Sequence, residues 1–142
     1  MGIEQAPGGL ARYVFGVEFR LEPAVSGLFV DPDRFEATLY RRADIPGDDG
    51  WLFFRDHLWH GELADPDHFR DVTTEALGVP VTAVSFRELQ TDEAYLDALR
   101  AAVGEHLEEF RAGSTDRALS KYLGSSIRVV PPEERAAFFD VE

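Results

Sequence analysis

Three of the four histidines, His57, His60 and His68, fall within twelve residues, and Asp56, Glu62 and Asp65 stand among them. Two imidazoles and a carboxylate are a donor set that divalent transition metals favour. The same types suit general acid–base work, with a carboxylate orienting the histidine that moves the proton. His57, His60 and Glu62 are therefore candidate metal ligands, and with Asp56 they are candidate catalytic groups. Their convergence depends on local structure: residues 57 and 60 share one face of a helical turn but point oppositely on a strand. A plainer reading makes Trp51, Phe53, Leu58 and Trp59 core, with the polar residues at the solvated end of a hairpin.

A second candidate is Lys121, the lone lysine among 14 basic residues. A compact ammonium can meet a phosphate as a point charge, or act as a base once desolvated. Gly124-Ser125-Ser126 follows it, and such a segment can offer backbone N–H groups to an anion. Lys121, Ser125 and Ser126 are thus candidate anion-binding residues. The alternative is a lysine that complements a helix C-terminus. A third grouping, Arg41, Arg42 and Arg55 with Tyr40 and Trp51 nearby, resembles the arginine–aromatic interleaving that holds single-stranded RNA. Its alternative is ion pairing with Asp44, Asp48 and Asp49. Trp51 and Trp59 are candidate interface residues, because aromatic side chains beyond the needs of a core mark contact surfaces.

Other chemistry is missing. There is no cysteine, which removes disulfides, thiolate metal sites and thiol catalysis. No Gly-x-Ser-x-Gly elbow, dinucleotide fingerprint or EF-hand spacing occurs. The sequence asks for no cofactor.

Positioning these residues falls to a short list of elements. Tyr13, Phe15, Val17, Phe19 and Leu21 alternate with Val14, Gly16, Glu18 and Arg20, which predicts a half-buried strand. Pro23 to Gly27 breaks it, and Phe35, Ala37 and Leu39 predict a second strand running to about Arg42. Pro46-Gly47-Asp48-Asp49-Gly50 predicts a turn, with Trp51-Leu52-Phe53-Phe54 returning as the strand of a hairpin. Asp65-Pro66-Asp67 opens a helix that Gly78 closes. A strand follows from after Pro80 to Leu89. A long helix capped near Thr91-Asp92 carries Tyr95, Leu96, Leu99, Val103, Leu107 and Phe110 on one stripe and ends at Gly113. A shorter helix runs to Leu123, and Ile127 to Val130 forms the last strand. One helical turn is expected over Glu133 to Phe139, with Phe138 and Phe139 docked. The expectation is α+β: a mixed or mostly antiparallel sheet of about five strands, with two to three helices on one face. Residues 1–11 read as a flexible lead-in and 12–142 as a single domain.

Charge is the strongest compositional signal. Asp and Glu number 27 against 14 basic residues, a net charge of −13, and no asparagine occurs. Such a charge opposes compaction at low ionic strength through self-repulsion. At about 1 M salt the Debye length falls to about 3 Å and most of that repulsion vanishes. The composition therefore points to a chain adapted to concentrated KCl. No signal peptide and no apolar stretch of membrane-spanning length is evident, which makes the cytoplasm the expected location.

Four segments carry a family resemblance: Gly50 to Glu62 with its Leu58-Trp59-His60 tripeptide, Tyr13-Val14-Phe15-Gly16, Thr91 to Leu96, and Leu119 to Ser126. Together they resemble the haloarchaeal LWR-salt proteins over about residues 12–130. His60 stands where that family's naming tripeptide has Arg, so a fixed positive charge is missing there. The resemblance implies a salt-adapted single domain and carries over no catalytic residue. The reading is a non-catalytic binding or protein-interaction module, with a homodimer as one form it can take and a protein partner favoured over nucleic acid. A small enzyme using His57, His60 and Glu62 stands second, and RNA binding through Arg41, Arg42 and Arg55 third.

Overall fold

The computed structural model describes residues 9–134. Its frame is a four-stranded sheet. Strand β1 (Ala11–Arg20) pairs antiparallel with β2 (Arg34–Arg42) on one side and with β5 (Val81–Thr91) on the other. The short β6 (Ile127–Val129) joins β5 in parallel, which makes the sheet mixed. A two-stranded hairpin, β3 (Leu58–Trp59) and β4 (Glu62–Leu63), stands apart from it. The α+β expectation holds, with four strands in the main sheet.

The alternation in β1 does what its period implies. Tyr13, Phe15 and Val17 are buried on the face that carries the helices. There Phe15 meets Phe53, Phe69 and Phe86 with ring centroids 5.0–6.4 Å apart. The opposite face is polar: the Arg12 guanidinium lies 4.0 Å from the Tyr40 ring centre and donates to Gln90 Oε1 at 2.8 Å. A register shift between Val14 and Phe15 leaves Arg87 as an extra residue in β5. Its guanidinium lies against Gly16, where any side chain would collide with it.

Helix α2 (Pro66–Leu77) begins as its Asp-Pro start dictates, with Asp65 accepting from the His68 amide at 3.1 Å, and ends on Gly78 at φ 75°. Helix α3 (Glu93–Gly104) is capped by Asp92, which accepts from the Tyr95 amide at 2.8 Å and the Leu10 amide at 3.1 Å. Thr91 stays in the strand.

Two expectations are corrected. Residues 51–54 are not the returning strand of a hairpin, because Phe53–His57 form a short helix, α1, entered by a turn in which the Phe53 amide donates to Gly50 O. The long helix to Phe110 is also interrupted. It stops at Gly104 and resumes as α4 (Leu107–Phe110), which Arg111 ends at φ 50°. Helix α5 (Thr115–Leu123) and a 3-10 turn at Pro132–Glu134 complete the described chain. The expected docking of Phe138 and Phe139 lies outside the described residues. Among the described residues no helix is long and apolar enough to cross a membrane.

Candidate functional site

The sequence-predicted cluster separates into two places. Asp56 and His57, on α1, line a cavity of about 440 Å³ with Arg41, Asp48, Asp49 and Trp51. His60 and Glu62 belong to the β3–β4 hairpin instead. Among the described residues no three His, Asp or Glu side chains gather to hold a metal ion.

At the cavity, Phe53 supplies the floor. The Arg41 guanidinium lies 4.5 Å from its ring centre on one side, and the His57 ring packs 4.6 Å away on another. Burial against Phe53 and Phe69 lowers the His57 pKa; Asp56 opposes that shift, while Arg41 and His68 add to it. The ring is therefore a neutral acceptor–donor at pH 7, beside a guanidinium and several carboxylates. Trp51 is buried against Phe54, Phe110 and His106, so it serves the core and not an interface. Trp59 is 47% exposed.

The hairpin turn is made by His60 at φ 53° and Gly61 at φ 81°. Two successive left-handed residues are what a tight two-residue hairpin demands, and glycine meets that demand without strain. The turn points its amides at the end of α5: His60 N–H donates to Lys121 O and Gly61 N–H to Tyr122 O, both at 2.9 Å. Gly124 N–H takes Ser120 O at 3.0 Å and Ser126 N–H takes Leu123 O at 3.1 Å. All four carbonyls that a helix end leaves open are thus satisfied. Gly61 and Gly124 let the two backbones meet, since a Cβ on Gly61 would stand 3.2 Å from Leu123 O and one on Gly124 3.3 Å from His60 O.

Lys121 continues the same pattern. Its ammonium donates to Phe110 O at 2.9 Å and reaches Arg111 O at 3.5 Å, closing the end of α4. The lysine does complement a helix C-terminus, though that of α4 and not of its own helix. Ser126 is engaged through its backbone, with its carbonyl accepting from the Leu89 amide at 2.8 Å, and Ser125 is exposed.

The three arginines do not form one patch. Arg41 and Arg42 are neighbours on β2 and so lie on opposite faces of the sheet. Arg55 pairs with Asp56 at 3.0 Å and Glu109 at 3.6 Å, in place of the acids of the preceding turn.

Sequence reasoning missed the loop between β1 and β2. Leu21, Val25, Leu28, Phe29 and Val30 are all exposed there, with Phe29 at 89% and Val25 at 64%. The signal was in view, since the stretch from Leu21 to Val30 carries five large apolar residues.

A model of the LWR-salt proteins matches residues 9–133. No curated protein and no solved structure matches the chain.

Two outcomes follow from this geometry. Lys121→Met removes a charged donor from a helix end and should lower stability by about 1–2 kcal/mol, read by thermal unfolding. Lys121→Arg should lose a comparable amount, because a planar fork does not fit where a compact ammonium reaches two carbonyls. Full stability in Lys121→Arg would show that the geometry of the ammonium is not why lysine stands there. For His57, the folded ring binds its proton less readily than the unfolded one. Its contribution to stability is complete above the ordinary histidine range near about 6.5 and is lost as pH falls through it. Melting temperatures between about pH 8 and 5 should fall less steeply in His57→Gln than in the parent; parallel curves would contradict the partly buried, neutral ring.

Proposed function

The chain belongs to the LWR-salt protein family, and on that premise we propose that it is a non-catalytic protein-binding module of concentrated cytoplasmic salt, docking through the β1–β2 loop. The exposed row Leu21, Val25, Leu28, Phe29 and Val30 carries this reading. Contiguous exposed apolar residues mark interaction surfaces. The contrast with the rest of the chain sharpens the point, because a molecule of net charge −13 solvates most of its surface with acids. The loop is held at its base, where the Leu21 amide donates to Asp33 O at 2.9 Å, so its tip is presented from a rigid ladder.

Salt explains why apolar contact is the suitable means of recognition. At about 1 M and above, charges more than about 3 Å apart scarcely attract, so an acidic surface gains little from a basic partner. Burial of Phe and Leu is not screened. A protein partner with an apolar groove is therefore favoured over nucleic acid, whose binding depends on phosphate contacts that salt weakens.

Phe29→Ser with Leu28→Ser tests the reading by affinity capture in about 3 M KCl, where long-range charge attraction is suppressed. A partner retained by the parent should be lost, with the melting temperature unchanged, as expected for exposed positions. Equal retention by the variant would remove the loop from binding.

The cavity beside His57 favours a second reading, a small-ligand site in which the neutral imidazole accepts a proton or hydrogen bond. Its volume suits a small metabolite. A ligand at a hundred times its dissociation constant would stabilise the chain by about 2.7 kcal/mol, and His57→Gln would abolish that response. A panel of metals, nucleotides and metabolites that leaves melting untouched would end this reading.

A further inference from the structure

Strand β2 ends the main sheet, and its outer edge carries no further strand among the described residues. The Leu21 and Ala43 amides donate to Asp33 O and Ala11 O respectively, so the odd residues of β2 exchange bonds with β1. Arg34, Glu36, Thr38, Tyr40 and Arg42 consequently turn their backbone N–H and C=O groups outward. Long edges of this kind invite another strand.

The charges on this edge are unusual. Across β1 and β2, Arg12 stands directly opposite Arg42, Glu18 opposite Glu36, and Arg20 opposite Arg34. Like charges in directly opposed positions destabilise a sheet. Arg20 is relieved by Asp33 at 3.6 Å and Glu22 at 4.0 Å, and Arg12 and Arg42 have interactions of their own. Glu36 and Arg42 are both exposed, on one face of the same strand and of opposite sign.

We propose that β2 pairs antiparallel with β2 of a second copy of this chain about a two-fold axis at Leu39, joining two four-stranded sheets into one. In that register Glu36 lies opposite the partner's Arg42, Thr38 opposite the partner's Tyr40, and Leu39 opposite the partner's Leu39. One step beyond the strand, Arg34 meets the partner's Asp44. All the outward-facing pairs are even-numbered residues, which is the parity that hydrogen bonding needs. Neighbouring registers are worse. A two-fold at Thr38 sets Arg34 against the partner's Arg42, and one at Tyr40 sets Glu36 against the partner's Asp44. The charges of β2 thus select one register for self-pairing while opposing their neighbours in β1. This interface uses residues distinct from the β1–β2 loop and stands beyond the loop reading.

The test is sedimentation of the full chain, in the lowest KCl that preserves its circular dichroism. A dimer is expected. Glu36→Arg should raise the dimer dissociation constant about ten-fold, by placing like charges together at two symmetric positions. The same change should leave the monomer at least as stable, because it relieves Glu18. A substitution that merely damaged the fold would move both measurements downward. Glu36→Arg with Arg42→Glu should restore the parent's dissociation constant. Thr38→Pro removes an outward N–H and should give a folded monomer. A monomeric parent, or a dimer indifferent to Glu36→Arg, overturns the pairing and leaves the loop to stand on its own capture experiment.

Discussion

Four carbonyls at the end of α5 set the arrangement of this molecule's second half. A buried helix end with open carbonyls costs free energy comparable to several lost hydrogen bonds, so the chain must bring donors to it. Two come from the helix's own continuation, at Gly124 and Ser126, and two come from residues 60 and 61, some sixty positions earlier. That second pair obliges the β3–β4 hairpin to dock against α5, and the docking obliges Gly61 and Gly124 to be glycines. Lys121 then passes the restraint on to α4 by closing Phe110 O. Ser126 passes it to the main sheet, since its carbonyl accepts from Leu89 in β5 just where β6 begins.

The family's naming tripeptide can be understood in these terms. Leu58 is wholly buried, Trp59 packs on Tyr122 with ring centroids 5.8 Å apart, and position 60 contributes its amide. A left-handed backbone at position 60 with an exposed side chain constrains φ far more than it constrains charge. His in place of Arg is physically unsurprising there. The histidines crowd together in the sequence, but their convergence depends on local structure, and proximity along the chain is not proximity in space. His57 ends a helix and His60 makes a turn, and the two amides of that turn are occupied with capping.

Much of the fold was legible where a single period ran unbroken. The alternation in β1 and the Asp-Pro start and Gly78 end of α2 act as their local chemistry dictates, and α5 ends at Leu123 as expected. Legibility failed where two periods overlap. Trp51 to Phe54 is apolar throughout, which fits a buried strand, but Phe53, Phe54, His57 and Leu58 also fit a helix, and the helical reading lets Phe54 stack on Phe110 at 5.7 Å. The break at Gly104 was hidden because Phe110 still falls on the buried stripe beyond it; a two-residue interruption followed by a left-handed Arg111 returns the chain to the same core. The capping of α5 by the hairpin was beyond reach, since a backbone amide leaves no trace in residue type; for Lys121 the sequence offered a helix C-terminus but not that it would be the end of α4.

On the proposed reading, the acidity and the exposed apolar loop are two consequences of one solvent. In concentrated salt a carboxylate-rich surface no longer repels itself, so the usual limit on net charge is lifted. The same screening removes long-range attraction as a means of choosing partners. What remains specific at short range is burial and register: a protruding Phe29 that needs a matching groove, and charged side chains held directly opposite one another on adjacent strands. Contact pairs within a few ångströms keep a share of their energy at salt concentrations that erase steering. A −13 chain can therefore still discriminate, provided its discriminating charges sit on rigid strands and its affinity comes from apolar area. Strand β2 and the loop that leads into it have those two properties in adjacent stretches of sequence, which is why the proposed recognition is assigned to this end of the sheet before the histidine cavity.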